Sequence, residues 1–212
     1  IYVTLDPTLP SERTKFVLDD SDANLIVTNT ANIGLANSLA KSRHYVLNVD
    51  HPTNDIADSE LDGSIGAETL ACIIYTSGSP GLPKGVMETH RNLLHRVMIA
   101  TNSYHISAED RLAFFYSCSF SASARCMFGA LLNGAMLLPY DVKRPTALRP
   151  AEWLLREGVT IYFCVPTLFR HVVQTLEDGE TIPSVRLIPL GSEPVVKRDV
   201  ELFNKHFSRD SV

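Results

Sequence analysis

The chain has 212 residues, 45% of them hydrophobic, and a formal net charge of −5 at pH 7. That hydrophobic content is enough to bury a core, which excludes an intrinsically disordered protein. The acidic balance and the lack of a basic run argue against a nucleic-acid-binding protein, and no apolar stretch is long enough to predict a membrane span.

The predicted elements alternate between short apolar strands and helices. We predict strands at residues 1–5, 25–28, 45–49, 70–75, 112–116, 135–138, 160–165 and 186–190, helices at 10–20, 31–42, 91–104, 150–157, 168–177 and 195–206, and a loop and helix at 120–132. This alternation is typical of an α/β fold, with layered parallel or mixed sheets flanked by helices. The acidic segment 53–69 is predicted to link a first lobe, residues 1–52, to a second, residues 70–212.

The cysteines, Cys72, Cys118, Cys126 and Cys164, form no C-x-x-C pair and sit mostly among apolar residues. We therefore expect reduced, buried thiols in a cytoplasmic protein. No signal peptide is recognisable at the start. Because residue 1 is Ile and not Met, we expect the chain to be part of a longer protein.

A glycine-rich loop follows the strand at 70–75 and precedes a helix-like segment. Its sequence is Tyr75-Thr76-Ser77-Gly78-Ser79-Pro80-Gly81-Leu82-Pro83-Lys84-Gly85-Val86. Glycines let the backbone approach a ligand, successive N–H groups can surround an anion, and a lysine adds positive charge. The pattern predicts phosphate binding, and the alternative is a plain connecting loop. The candidate phosphate ligands are Thr76, Ser77, Gly78, Ser79, Gly81 and Lys84.

Two further segments at strand ends are polar or unusual, residues 117–123 and 191–193. In α/β sheets, ligands collect at the carboxyl ends of the strands. We therefore expect these segments and the loop at 76–84 to converge on one site.

The loop resembles the signature loop of adenylate-forming enzymes, which include acyl-CoA synthetases, luciferases and the adenylation domains of nonribosomal peptide synthetases. Other stretches favour the peptide synthetases, and the resemblance extends over essentially the whole chain. These stretches are Tyr2-Val3-Thr4-Leu5-Asp6-Pro7, His90-Arg91-Asn92-Leu93, Phe120-Ser121-Ala122-Ser123 and Leu190-Gly191-Ser192-Glu193. The resemblance implies part of the large N-terminal subdomain of such an enzyme.

It also implies an AMP-forming ligase of secondary metabolism that activates a carboxylic acid. The acid would attack the α-phosphorus of ATP, with Mg²⁺ on the phosphates, giving an acyl-adenylate and pyrophosphate. The phosphopantetheine thiol of a carrier protein or domain would then take the acyl group. A free-standing acyl-CoA ligase and a non-catalytic nucleotide-binding relative are the alternatives.

The resemblance further implies where the acid would bind. The residues that would line its pocket are Phe120, Ser121, Ala122, Arg125, Phe163, Ile188, Leu190 and Gly191. The apolar members suit core positions equally well. Arg125, one helical turn after Ser121, is either a partner for an acidic substrate group or a surface arginine.

Two residues depart from the family pattern. Pro80 replaces a hydroxyl residue and has no N–H, so one phosphate contact is expected to be lost. Ser121 replaces the aspartate that pairs with the α-ammonium of an amino-acid substrate. Because an unpaired buried ammonium is costly, a keto, hydroxy, aryl or β-amino acid is expected to fit better.

The catalytic lysine of the C-terminal subdomain and the glutamate that helps to hold Mg²⁺ are expected beyond Val212. We therefore expect no catalytic residue and no metal ligand within this chain, and no adenylation by the chain alone.

Two further polar residues each allow two interpretations. His90 is a site residue or a helix-start residue, and Glu193 is a site carboxylate or a solvated turn residue.

Overall fold

A computed structural model describes residues 1–51, 63–76, 82–142 and 148–207 of the chain. The chain divides into two compact units. Unit 1 contains Ile1–Leu94 with Cys118–Ser121, and unit 2 contains His95–Ser117 with Ala122–Val212.

Up to residue 48 the chain alternates strands and helices as predicted, and two further strands precede the next helix. The elements of the first half are β1 (Tyr2–Val3), α1 (Ser11–Asp20), β2 (Leu25–Thr28), a 3₁₀ turn (Thr30–Asn32), α2 (Ile33–Leu39), β3 (Tyr45–Asn48), β4 (Leu70–Thr76), β5 (Lys84–Thr89) and α3 (His90–Tyr104). The second half contains β6 (Arg111–Phe114), α4 (Ser121–Leu131), β7 (Met136–Pro139), α5 (Pro150–Arg156), β8 (Ile161–Tyr162), α6 (Pro166–Val173) and α7 (Lys197–His206).

Unit 1 contains two small sheets. In the first, β4 lies between β1, which pairs with it in parallel, and β5, which pairs with it antiparallel. In the second, β2 and β3 are parallel, and a cluster of Leu18, Ile26, Ala36 and Leu39 packs α1 and α2 against it. The glycine-rich loop connects β4 to the antiparallel strand β5, so these two strands form a hairpin.

Unit 2 is built on a parallel sheet in the order β7-β6-β8. Side chains alternate between its faces, as expected for strands that are buried on both sides. Ile161 and Phe163 belong to one apolar cluster, while Tyr162 and Cys164 belong to another. The first cluster contains residues of α3 and α4, and the second contains residues of α5 and α6. The predicted α/β class, with parallel and mixed sheets flanked by helices, is confirmed.

The segment after the glycine-rich loop is a correction to the sequence analysis. We expected a helix-like segment there, but Lys84–Thr89 forms strand β5. Gly85 is a poor helix former, and pairing along most of β4 supplies the backbone hydrogen bonds that a helix would otherwise provide. The strand predicted at 186–190 is reduced to isolated bridges of Leu187 with Ile161 and of Leu190 with Cys164.

The predicted lobe boundary differs from the observed division. Strand β1, from the predicted first lobe, pairs with β4, from the predicted second lobe, so both belong to unit 1. Residues 52–62 of the proposed linker region lie outside the described residues, and the linker at 53–69 stays a prediction.

All four cysteines are free thiols, and Cys72, Cys126 and Cys164 are buried as expected. Cys118 is exposed, which corrects the expectation for that residue, because it lies in a surface segment that follows β6. Within the described ranges, no helix has the length and apolar character needed to cross a membrane.

Candidate functional site

The glycine-rich loop begins and ends on paired residues. Thr76, the last residue of β4, lies opposite Lys84, the first residue of β5, and the Thr76 hydroxyl donates to the Lys84 carbonyl oxygen over 3.4 Å. Both residues are exposed. Of the predicted phosphate ligands, Ser77, Gly78, Ser79 and Gly81 lie outside the described residues, as does Pro80. The described pair, a hydroxyl and an ammonium group on adjacent strands, is a donor set that suits phosphate oxygens.

The hairpin is attached to α1 through Tyr75. The Tyr75 hydroxyl donates to Oδ2 of Asp20 over 2.6 Å. Burial, the hydrogen bond to Asp20 and the negative charge of that carboxylate together raise the pKa of Tyr75 to about 12. The phenol therefore stays neutral, and remains a hydrogen-bond donor, throughout the physiological pH range.

Gly85 on β5 leaves room for the Tyr75 ring of the neighbouring strand β4. A Cβ atom at residue 85 would lie 3.0 Å from Cγ2 of Ile73 and 3.2 Å from Cζ of Tyr75. Any side chain would therefore displace the ring that reaches Asp20. The glycine next to Lys84 therefore serves the packing of the hairpin.

Helix α3 starts at His90, directly after β5 ends at Thr89. The N–H of Asn92 donates to Oγ1 of Thr89 over 3.2 Å, and Oδ1 of Asn92 accepts from the N–H of Thr89 over 3.1 Å. These reciprocal bonds satisfy two donors at the helix start. His90 is the first helical residue, and its N–H donates to the Thr69 carbonyl over 3.0 Å. This position agrees with the helix-start interpretation of His90.

The aromatic–serine motif lies at the start of α4. The side chain of Phe120 is 64% exposed, so it is not the core residue that the alternative interpretation proposed. Ser121 is the first residue of α4 and is exposed, while Ala122 is half-buried. The exposed hydroxyl of Ser121 carries no charge with which to balance an ammonium group.

Unit 2 brings Arg125 and Phe163 together. The guanidinium carbon of Arg125 lies 5.8 Å from the centroid of the Phe163 ring, a cation–π contact. Tyr104 packs edge-on against the same ring, with 5.4 Å between the centroids. The Nε atom of Arg125 is buried without a hydrogen-bond partner in the described part of the chain. Arg125 is thus half-buried against an aromatic ring, unlike a fully solvated surface arginine.

The structure separates the remaining pocket candidates from Phe163. Ile188 and Leu190 pack against the cluster that contains Tyr162 and Cys164, whereas Leu187 packs against the cluster of Phe163. Ile188 and Leu190 therefore face the opposite side of the sheet from Phe163. The N–H of Gly191 donates to the Cys164 carbonyl over 3.4 Å, and a Cβ atom there would meet no atom within 4 Å.

Glu193 caps a helix. Its Oε2 accepts from the N–H of Thr167 over 2.9 Å and from the Thr167 hydroxyl over 2.7 Å, at the start of α6. These two hydrogen bonds lower the pKa of the Glu193 carboxyl. Glu193 is therefore bound to a helix terminus, which neither interpretation of the sequence anticipated. The Pro166-Thr167 pair marks the helix start, but its distant partner is not readable from local sequence.

Arg96, Ser103 and Tyr104 are polar residues that sequence reasoning missed, and they line a cavity of about 230 Å³ together with Arg125. A larger cavity, of about 350 Å³, lies in unit 1 beside β2 and is lined mainly by apolar residues that include Ile26, Leu35 and Leu39. It contains no predicted site residue. In the described ranges, no group of three or more His, Cys, Asp or Glu residues could hold a metal ion.

The chain is similar to known proteins in sequence and in fold. The model of one protein family, described as "AMP-binding enzyme", matches residues 1–212. Syringomycin synthase SyrB1 of Pseudomonas syringae pv. syringae is 33% identical over 202 residues, which cover 91% of this chain and 31% of SyrB1. The chain thus spans less than a third of that relative.

Solved structures show the same fold. The nonribosomal peptide synthetase FmoA3 (S1046A), in its AMPPNP-bound form, superposes with a TM-score of 0.84 at 24% identity, over 97% of this chain and 22% of FmoA3. The N-terminal subdomain of Klebsiella oxytoca NpsA, in complex with anthranilyl-AMSN, gives a TM-score of 0.79 at 22% identity, over 97% of this chain and 51% of the NpsA chain.

Proposed function

Because the chain belongs to the AMP-binding enzyme family, we propose that its full-length protein uses ATP to activate a carboxylic acid as an acyl-adenylate. The acyl group then passes to the thiol of a carrier protein, as part of nonribosomal peptide synthesis. The observation that carries this proposal is the family match over residues 1–212, together with a glycine-rich loop held between Thr76 and Lys84.

The loop is proposed to bind the β- and γ-phosphates. ATP supplies the electrophilic phosphorus and the pyrophosphate leaving group, with Mg²⁺ to balance their charge. The hydroxyls of Thr76, Ser77 and Ser79 donate to phosphate oxygens, and the Lys84 ammonium lowers the cost of the accumulated negative charge. Pairing of β4 with β5 fixes the two ends of the loop before the nucleotide arrives, which supports this role.

Helix α4 and the segment directly after β8 are proposed to hold the acid. Phe120 and Ser121 lie at the start of α4, with Ala122 next along it, while Arg125 and Phe163 form the contact in unit 2. A hydroxyl at residue 121 cannot neutralise an α-ammonium group, so the proposed substrate is a keto, hydroxy, aryl or β-amino acid. Ile188 and Leu190 face the other cluster, and Gly191 is the better candidate among the neighbouring residues.

The test is acid-dependent exchange of pyrophosphate into ATP by the full-length protein, with a panel of amino, keto, hydroxy and aryl acids. We expect at least one acid that lacks an α-amino group to support exchange. If an unmodified α-amino acid is the best substrate, the assignment of Ser121 is wrong. If no acid supports exchange while the nucleotide still binds, the protein is a nucleotide-binding relative without catalysis.

A paired variant tests the phosphate loop. Lys84→Ala with Ser77→Ala removes a charge and a donor, and hydrogen bonds to charged groups contribute about 1.5–3 kcal/mol each. Because two such bonds are lost together, we expect kcat/KM for ATP to fall by at least about a hundredfold. Lys197→Ala removes a lysine whose side chain is 92% exposed on α7 and serves as the matched control. Unchanged exchange in the paired variant would exclude the loop as the phosphate site.

A further inference from the structure

The short segment Cys118–Ser121 belongs to unit 1, although the residues on either side of it belong to unit 2. Phe120 and Ser121, at its end, are among the residues proposed to hold the acid, and Ser121 is the first residue of α4. The contacts that hold this segment to unit 1 therefore help to set where the proposed acid site begins. We call it the 118–121 segment.

One of these contacts comes from the residue that directly follows β1. The Thr4 hydroxyl donates to the carbonyl oxygen of Cys118 over 3.0 Å, across 114 positions of sequence. Because threonine is branched at Cβ, few χ1 rotamers are open to it, and its hydroxyl points in a narrow range of directions. The bond therefore fixes the backbone of the 118–121 segment at its first residue, shortly before Phe120.

Thr4 is itself held close to the β4–β5 hairpin. Val3, the last residue of β1, pairs in parallel with Ile73 of β4. Strand β4 continues from Ile73 to Thr76, where the glycine-rich loop begins. The strand pairing and the Thr4 hydroxyl thus form a short connection from the base of the loop to the 118–121 segment, and every part of that connection lies within unit 1.

The three parts of this connection also border one small cavity. Thr4, Tyr75 and Ser119 are among the residues that line a space of about 20 Å³. A cavity needs roughly 10–15 Å³ to hold one water molecule, so this space is too small for a substrate. The end of β1, the end of β4 and the 118–121 segment therefore lie side by side, as a structural junction and not as a further ligand site.

We propose that Thr4 is a positioning residue for the proposed reaction. Its hydroxyl holds the 118–121 segment at a fixed place beside the β4–β5 hairpin, so that the bound acid is aligned with the α-phosphorus of ATP. Thr4 acts through the Cys118 carbonyl and touches neither substrate. A misplacement of about 1 Å between reacting groups can slow a reaction by about a hundredfold. This inference rests on the proposed function, because it concerns the alignment of the two substrates in that reaction.

The first experiment measures pyrophosphate exchange by the full-length protein with its best acid. Thr4→Val keeps the shape of the side chain and removes the hydroxyl. We expect kcat to fall by about threefold to tenfold, as for the loss of one ordinary hydrogen bond, while the Kd for ATP measured without acid stays unchanged. Thr4→Ser restores the hydroxyl and should recover most of kcat.

The matched control removes a bond of the same kind far along the chain. The Thr175 hydroxyl donates to the Val172 carbonyl oxygen over 2.7 Å, so Thr175→Val should leave kcat unchanged. Unchanged kcat in Thr4→Val would overturn the inference and leave the proposed function standing. A loss that appears in the Kd for ATP and not in kcat would show that Thr4 supports only the hairpin, and would also overturn it. Absence of exchange by the unaltered protein with every acid would overturn both.

A second measurement does not depend on turnover. Cys118 is an exposed thiol on the segment that Thr4 holds, and burial of the sulfur region and the charge of Asp6 raise its pKa. Release of the segment reduces that burial, so alkylation of Cys118 by iodoacetamide at pH 8 should be at least about twofold faster in Thr4→Val, but not in Thr175→Val. Mass spectrometry of the peptide that contains Cys118 measures the rate in the full-length protein. Equal rates in Thr4→Val and the parent protein would show that the bond does not hold the segment, and would overturn the inference.

Discussion

The hydroxyl of Tyr75 donates a hydrogen bond of 2.6 Å to the carboxylate of Asp20, which joins the β4–β5 hairpin to helix α1 across 55 positions of sequence. Tyr75 stands next to Thr76, where the glycine-rich loop begins. The contact therefore holds the base of the loop to a helix.

Removal of this hydrogen bond should weaken the hairpin. We expect Tyr75→Phe to lower the free energy of unfolding by about 1 kcal/mol, which is less than the roughly 1.5–3 kcal/mol of a hydrogen bond to a charged group because this pair is partly exposed. Urea denaturation measures the change. Tyr45→Phe, at a tyrosine that is 63% exposed, is the control and should have no measurable effect. Equal effects of the two variants would contradict a role for the Asp20 contact.

Tyr75 should ionise at a higher pH than an ordinary tyrosine. Because the folded state raises the pKa of Tyr75 to about 12, its contribution to stability is fully present below the ordinary phenol pKa of 10.0. That contribution is lost as the pH rises through about 12. Ultraviolet absorbance of the phenolate between pH 9 and 12 should show a late-ionising tyrosine that is missing in Tyr75→Phe. A titration that is identical in the two proteins would contradict the shift.

Gly85 and Gly34 should respond in opposite directions to alanine. A Cβ atom at residue 85 would lie 3.0 Å from Ile73 and 3.2 Å from Tyr75, so Gly85→Ala should destabilise the protein by about 1–3 kcal/mol. Gly34 lies in α2, where an added Cβ atom would meet no neighbouring atom within 4 Å, so Gly34→Ala should stabilise the protein by up to about 1 kcal/mol. Thermal or urea unfolding measures both changes. Equal signs would show that the hairpin does not depend on close approach at Gly85.

The ion pair of Asp110 with Arg186 should make the free energy of unfolding depend on pH in the acidic range. Its side chain is 5% exposed and accepts from Nε and Nη2 of Arg186 at 2.9 and 2.8 Å. Burial alone would raise the pKa of Asp110, but these bonds, with those from Thr160 and the Ser107 N–H, outweigh burial and lower it. The stabilisation is present above the ordinary carboxyl pKa of 3.8 and is lost as the pH falls through the lower folded-state value.

We therefore expect Asp110→Asn to cost about 2 kcal/mol at pH 7, with the difference from the parent protein narrowing below about pH 4. Unfolding curves from pH 3 to pH 7 measure this difference. Asp178→Asn is the control, because the Asp178 side chain is 97% exposed in its pair with Lys205 and such exposed pairs contribute little to stability. A constant difference at all pH values would contradict the ionic origin of the effect.

Cys118 should be the one thiol that reacts in the folded chain. It is exposed, while Cys72, Cys126 and Cys164 are buried. Burial of the sulfur region and the nearby charge of Asp6 raise the pKa of Cys118, so its reaction with a disulfide reagent should be slow at pH 7 and accelerate as the pH rises. Thiol counting with and without denaturant measures this. Fast reaction of a second thiol in the folded state would contradict the burial pattern.

Strands β6 and β8 of unit 2 were predictable because they are buried on both faces, so apolar runs around Leu112 and Ile161 stand out in the sequence. Strand β5 was not predictable in this way. Val86 and Met87 are 46% and 65% exposed, and the strand forms only because β4 is available as a partner.

The helix that contains Ser121 and Arg125 was predictable, whereas the role of these residues in a site stays a prediction. Their spacing follows from helical periodicity, but the contact of Arg125 with Phe163 requires α4 to pack over the segment after Tyr162. For Ile188 and Leu190, the sequence did not predict which face of the sheet their side chains occupy. Adjacent strand residues face opposite sides, so an error of one position in phase exchanges the two faces of the sheet.

The paired positions of Thr76 and Lys84 have a consequence for engineering. Pairing of β4 with β5 holds the two ends of the loop together. The strand pairing therefore offsets the entropic cost of closing the loop, whatever residues lie between Thr76 and Lys84. The corresponding loop of another member of the family, transplanted between these two residues, would meet the same endpoints and strand register. Comparing that exchange with a single substitution of Pro80 would separate the effect of this proline from the effects of its neighbours in the loop.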